Sequence, residues 1–161
     1  MPIYNYLLDE VTTYVVNTSN ASIGGQNPLT YYASQSTQMT EGTNTFVGFV
    51  PDDPDVTTSF YEYEGRDPEY VFGAGNSLPV ITRPHLQIVC RDQYYEYARD
   101  QCESVVRLLE QIVNQQLSAA TGQGYTLYYR INRIQDPFLF SRDKKRRVYF
   151  ACNMDVERQP S

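Results

Sequence analysis

A chain of 161 residues is about one domain, long enough to bury a core without disulfide or metal staples. With 13 basic against 19 acidic residues its formal charge is −6, a surface that repels nucleic-acid backbones and anionic lipid except through a local patch. Three cysteines (Cys90, Cys102 and Cys152) with no C-x-x-C spacing and no basic N-terminal leader argue for free thiols in a reducing compartment, and no apolar run approaches the ~20 residues of a membrane span.

The first predicted element is a helix. Pro2 suits a first helical turn, and Tyr4, Leu7, Leu8, Val11, Tyr14 and Val15 repeat at three- and four-residue steps until the polar run Asn17 to Asn20. Residues 21–44, rich in Ser, Thr, Gln and Gly without a period, read as a flexible loop or a poorly supported hairpin. "TFVGFVP" is a short strand closed by Pro51, "DDPD" a turn, and "VTTSFYEYEG" a second strand ended by Gly65. "RDPEYVFGAGNSLP" reads as a loop. "PHLQIVCRD" is a third strand with Leu86, Ile88 and Cys90 on one face.

Asp92 is placed to cap a long helix, its carboxylate accepting from first-turn amides. Tyr95, Ala98, Cys102, Val105, Leu109, Ile112 and Gln116 then step by three or four, widened by Val106, Val113 and Leu117, with Gly122 and Gly124 as the stop. About 25 helical residues would span roughly 38 Å. The last third reads as a β-hairpin. "YTLYYRINRI" alternates Tyr125, Leu127, Tyr129 and Ile131 against Thr126, Tyr128, Arg130 and Asn132; "RVYFACNMDVE" alternates Val148, Phe150, Cys152, Met154 and Val156 against Tyr149, Ala151, Asn153 and Asp155. A tail begins at about residue 157. The order predicts a single domain of α+β class over 1–161. It is an antiparallel or mixed sheet of about four to six strands, with the N-terminal and long helices on one face and a C-terminal hairpin. Cys102 and Cys152 fall on apolar faces and read as packing residues.

Reactive motifs are sparse. The lone histidine, His85, follows Pro84 at a strand start and reads as an ordinary strand residue. There is no nucleophile elbow, paired-histidine motif or Walker loop; "GAGNSLP" lacks the third glycine and a following helix. "DDPD" lacks the glycine and distal glutamate of a calcium loop, and no clustered zinc ligands occur. The expectation is a protein without catalytic residues, cofactor or metal. An enzyme built from distant residues would centre on His85, Asp92 and Glu96.

Two other features point to contact. Tyrosine is abundant, with 15 residues, while tryptophan is missing, and tyrosine is enriched at protein interfaces. Charge is segregated. Asp52, Asp53, Asp55, Glu62, Glu64, Asp67 and Glu69 form an acidic band interrupted only by Arg66, whereas Arg142, Lys144, Lys145, Arg146 and Arg147 cluster around Asp143 between the last two strands. That basic tip reads as a solvated loop, as a partner contact, or as a nucleic-acid site with Tyr149 or Phe150 stacking on bases. Paired with the acidic band, it suits head-to-tail contacts between identical subunits that close into a ring.

"RPHLQIVCRDQYYEYARDQCESVVRLLEQI" followed by "GYTLYYRINRIQDPFLFSRDKKRRVYFACNMDVE" resembles the tail-terminator and minor capsid (tail completion) proteins of tailed bacteriophages. The shared pattern is a Pro-containing strand ending in Arg-Asp (Arg83-Pro84, Arg91-Asp92), a long helix, a strand, a loop with Pro137, a turn with Asp143 and Arg146 or Arg147, and a final alternating strand. "GFVPDDPD" fits the strand and turn after the N-terminal helix. The resemblance covers about 120 residues; segment 21–44 and the tyrosine-rich loop 60–72 depart from it. It implies a structural virion protein, assembled in the host cytoplasm, forming a ring that is commonly a hexamer. Such a ring caps the tail tube, docks the head-tail connector or neck protein, and lets genomic DNA pass without specific binding or contact with a membrane. A neck or head-completion protein is the alternative in the same setting, and a small nucleic-acid-binding module the more distant one.

Overall fold

The computed structural model describes residues 6–20, 39–69, 80–118 and 124–160. Helix α1 is Leu7–Asn20, so the predicted start at Pro2 and Tyr4 lies outside the described residues. Its buried stripe is Leu7, Val11 and Val15, one residue per turn. Most of the predicted loop, 21–38, is likewise outside them; the remainder, 39–44, turns into β1 (Thr45–Val47) with Met39 buried against the core.

Strands β2 (Thr57–Glu69) and β3 (Ile81–Asp92) follow. The strand predicted to stop at Gly65 runs through it. Gly65 sits within the first of two shifts of register against β3, between Tyr63 and Arg66, where a Cβ would lie 1.8 Å from the Arg83 carbonyl oxygen. The glycine therefore permits close backbone approach in a bulged stretch instead of ending the strand.

The long helix is shorter than its periodicity predicts. Helix α2 is Tyr95–Glu110, 16 residues or roughly 24 Å. Its N-cap is Tyr94, with no side-chain cap; Asp92 closes β3 and accepts from the Tyr94 amide at 3.1 Å. After Glu110 the chain turns, Ile112 still reaches the core, and Val113–Leu117 form strand β4. Val113 and Gln116, expected on the buried helical stripe, are exposed.

Strand β5 (Thr126–Arg133) pairs antiparallel with β7 (Val148–Arg158), as the hairpin reading requires, but β6 (Phe138–Arg142) also pairs with β7 and lies between them in sequence. The strict alternation predicted for β5 fails at a register shift between Tyr128 and Arg130. Thr126, Tyr128 and Ile131 are therefore the buried residues, and Tyr125 is exposed. Residues 157 and 158, expected in a tail, complete β7, and Gln159 donates to the Leu127 carbonyl at 2.8 Å.

The fold is α+β. The sheet order is β1-β2-β3-β7-β5-β4, with β6 also on β7; β1–β2 is the parallel pair and the rest are antiparallel. Leu86, Ile88 and Cys90 of β3 and Phe150, Cys152, Met154 and Val156 of β7 face the helices, joined by Phe60, Ile131 and the stripes of α1 and α2. All three cysteines are free and buried in this layer. Burial pushes the Cys152 thiol up to about 12, so it packs as a small apolar group. One polar group crosses the core. The buried Glu10 carboxylate of α1 accepts from Tyr128 Oη at 2.5 Å and from Arg158 Nη1 at 3.1 Å, tying the helix to two strands.

Candidate assembly surface

The basic tip is a tight turn between β6 and β7. Arg146 donates its amide to the Asp143 carbonyl at 3.0 Å and adopts φ 63, and Asp143 donates to the Arg147 carbonyl at 3.1 Å. This is a turn followed by one left-handed residue, a common hairpin closure. Asp143 organises it, its Oδ1 accepting the amides of Lys145 (2.9 Å) and Arg147 (3.0 Å).

The acidic loop before β2 lies against this turn in the same chain. Arg147 is buried. It donates to Asp143 Oδ2 at 2.6 Å, Asp52 Oδ1 at 2.8 Å and Asp55 Oδ1 at 3.2 Å, and also to the Asp52 carbonyl. Lys145 Nζ lies 2.8 Å from Asp52 Oδ2 and 3.8 Å from Asp53 Oδ1. Hydrogen bonds from Lys145 and Arg147 hold the Asp52 carboxyl down at about 2. Asp143 is also held low, by Arg147 and Tyr149, although its partial desolvation opposes this.

A second guanidinium grips the loop backbone. Arg91 is 1% exposed and donates to the carbonyls of Pro51 (2.6 Å), Asp55 (3.2 Å), Asp52 (3.3 Å) and Pro54. It also donates to Tyr149 Oη at 3.2 Å, and Tyr149 in turn donates to Asp143 Oδ2 at 3.1 Å. A cation with five fixed donors suits several carbonyls of one tight loop. Nothing local in the sequence names Arg91 for this role. Its place on the face opposite the helices, in step with Gln87 and Val89, is the one available signal.

Of the predicted contact residues, Asp52, Asp53, Asp55 and Lys145 thus meet within one chain. Arg142, Lys144 and Arg146 at the tip, and Glu62 and Glu64 on β2, are exposed and carry no ion pair among the described residues. Base stacking by Tyr149 or Phe150 does not fit, because Phe150 is buried against Tyr95 (ring centroids 4.9 Å apart) and Tyr149 is held by Arg91 and Asp143. His85 lies near the middle of β3 and Asp92 at its end, seven residues or roughly 23 Å apart, and they form no common site with Glu96. His85 instead lies against Tyr63 and 3.6 Å from Asp155.

Other charges stitch neighbouring strands. On the face away from the helices, Glu157 receives Arg130 through two bonds (2.8 and 2.9 Å) with Arg83 and Arg66 close by, and Arg66 also pairs with Asp155. The Arg130 bonds keep the Glu157 carboxyl low. Arg133 of β5 binds Glu103 at 3.0 Å and Glu110 at 2.8 Å, fastening α2 to the sheet. Among the described residues no group of three or more His, Cys, Asp or Glu is placed to hold a metal ion, and no helix is long and apolar enough to cross a membrane.

The model of the bacteriophage tail terminator protein family matches residues 32–159. The chain therefore belongs to that family of structural virion proteins, and its place is the virion. Among solved structures, a chain from the virion of a native gene transfer agent particle has a like fold. The TM-score is 0.53 at 13% identity, covering 96% of this chain and 98% of that one. No curated protein matches the chain.

Proposed function

We propose that copies of this chain form a closed ring, a hexamer by the family resemblance, that caps the tail tube and offers its other face to the head-tail connector or neck protein. The observation that carries the reading is the family match across residues 32–159. The surface is consistent with it: uncommitted cations at the β6–β7 tip and uncommitted carboxylates on β2 are available for neighbours, because the remaining tip charges are neutralised within the chain. The net charge of −6 suits a channel through which DNA slides without specific binding. The virion provenance of the gene transfer agent chain agrees with assembly among other tail or head proteins.

The test is tail-tube assembly with and without the protein. With it, tubes should have one capped end and a defined length. Tubes of unregulated length in its presence, with the protein recovered on the portal-side adaptor instead, would move it to the neck.

A further inference from the structure

Among the described residues, two open margins of the sheet are opposite in character. Strand β1 covers β2 only from Thr58 to Phe60, so from Tyr61 to Glu69 the outer side of β2 has no strand beside it among the described residues. That stretch carries Glu62, Glu64 and Asp67, all exposed, and the half-exposed Tyr63. Across the sheet, β6 has β7 on one side and no strand on the other among the described residues. Its exposed residues include Leu139 (46%) and Phe140 (55%), and Arg142, Lys144 and Arg146 follow at the turn. An open edge with adjacent exposed apolar side chains is a pairing template, one that proteins ordinarily blunt. The third margin, β4, is blunted: Asn114 has φ 48, and Gln115 and Gln116 follow.

We infer that the joint between subunits is made by adding β6 of one copy to the Tyr61–Glu69 edge of β2 in the next, so that one sheet runs on from copy to copy. This rests on the ring reading above and specifies its contact. The occupant is a second copy because the two margins are complementary in charge: basic beside β6, acidic along β2. Apolar Leu139 and Phe140 would meet Tyr63 and its neighbours, the aromatic and opposite-charge pairs that stabilise cross-strand contacts. Direction agrees as well. Strand β6 is antiparallel to β7, β7 to β3 and β3 to β2, so β6 runs opposite to β2. Copies in like orientation would therefore join antiparallel.

The offset favours closure. The middle of β6 is level with Phe150, Cys90 and Thr58, whereas the free part of β2 is centred on Gly65, level with about Pro84 of β3; counted along β3, that is six residues from Cys90, or roughly 20 Å. Counting β2, β3, β7 and β6, each copy advances four strands, roughly 19 Å across. The resulting tilt is about 45°, at the upper end of the ~35–45° range of closed barrels. Because β6 on one copy meets a different strand on the next, the contact is heterologous, the kind that forms rings.

The experiment is native mass spectrometry of the full chain across a concentration series, with two charge-reversal sets on residues that hold no ion pair. One is Arg142→Glu, Lys144→Glu and Arg146→Glu; the other is Glu62→Lys and Glu64→Lys. Each set alone should raise the concentration needed for assembly about tenfold or more, and both together in one chain should restore it to within about threefold of the parent. A Phe140→Cys chain mixed with a Tyr63→Cys chain should be joined by a short bismaleimide, the native thiols being buried. Unchanged assembly with either set, together with no such cross-link, would overturn the edge joint and leave the ring standing. A parent chain that forms no ring at any concentration would remove both.

Discussion

Replacing Arg91 by Met keeps most of the volume but removes the donors with which Arg91 holds the loop from Pro51 to Asp55, leaving those of Arg147 and Lys145. Four carbonyls and the Tyr149 hydroxyl lose a partner. A hydrogen bond to a charged group contributes about 1.5–3 kcal/mol, but the loop carries exposed Asp52 and Asp53, so water replaces some of the loss. Crediting two bonds in full, to Pro51 at 2.6 Å and to Pro54, gives about 3–6 kcal/mol. Removing the desolvation cost of a buried guanidinium returns part of this, which leaves about 2–4 kcal/mol. At roughly 2–4 °C per kcal/mol for a chain of this size, Tm should fall by roughly 4–16 °C. Arg91→Lys should recover only part, since an ammonium cannot span the carbonyls as a planar fork does. Thermal melts by circular dichroism read the first effect, and amide exchange at residues 51–57 should accelerate in step. A melt within one degree of the parent, with exchange there unchanged, would refute the idea that Arg91 holds the loop.

Acid should loosen the same loop. The Asp52 carboxyl sits near 2 in the fold against 3.8 when free, so its pairing is fully in place above about pH 4 and is lost as pH falls towards 2. The protection of amides across 51–56, taken relative to their intrinsic exchange rates at each pH, should fall through that window, and Asp52→Asn should remove that part of the pH response. In the core, Leu109→Ala should cost about 2–5 kcal/mol in denaturant titration, because the side chain is fully buried between α2 and the sheet. Gly65→Ala should cost about 2–4 kcal/mol by the same assay, since the new methyl would strike the backbone at Arg83 and Pro84; a neutral result would show that β2 and β3 part there without strain.

Much of the core was legible because burial follows a period. The Leu86, Ile88, Cys90 alternation and the Val148 to Val156 alternation each mark the face that meets the helices, and the structure buries those residues. The end of α2 was not legible, since Ile112, Val113 and Leu117 continue the helical spacing by coincidence after the chain has turned to form β4. Gly65 and Asp92 misled for a related reason: a glycine at a close approach and an aspartate closing a strand look locally like a strand stop and a helix cap. Charge segregation was visible, but its pairing was not. Asp52, Asp55 and Arg147 lie far apart in sequence and meet only because β3 lies beside β2 and β7 beside β3, bringing the loop before β2 to the β6–β7 turn. What remains uncommitted, Arg142, Lys144, Arg146, Glu62 and Glu64, emerged only by subtraction once the internal pairs were known.

The most direct measurement for the central proposal is cryo-electron microscopy of tail tubes assembled with this protein. The account expects a single closed ring of its subunits on one tube end and none along the shaft; bare ends, with the protein remaining monomeric in the supernatant at every concentration, would contradict it.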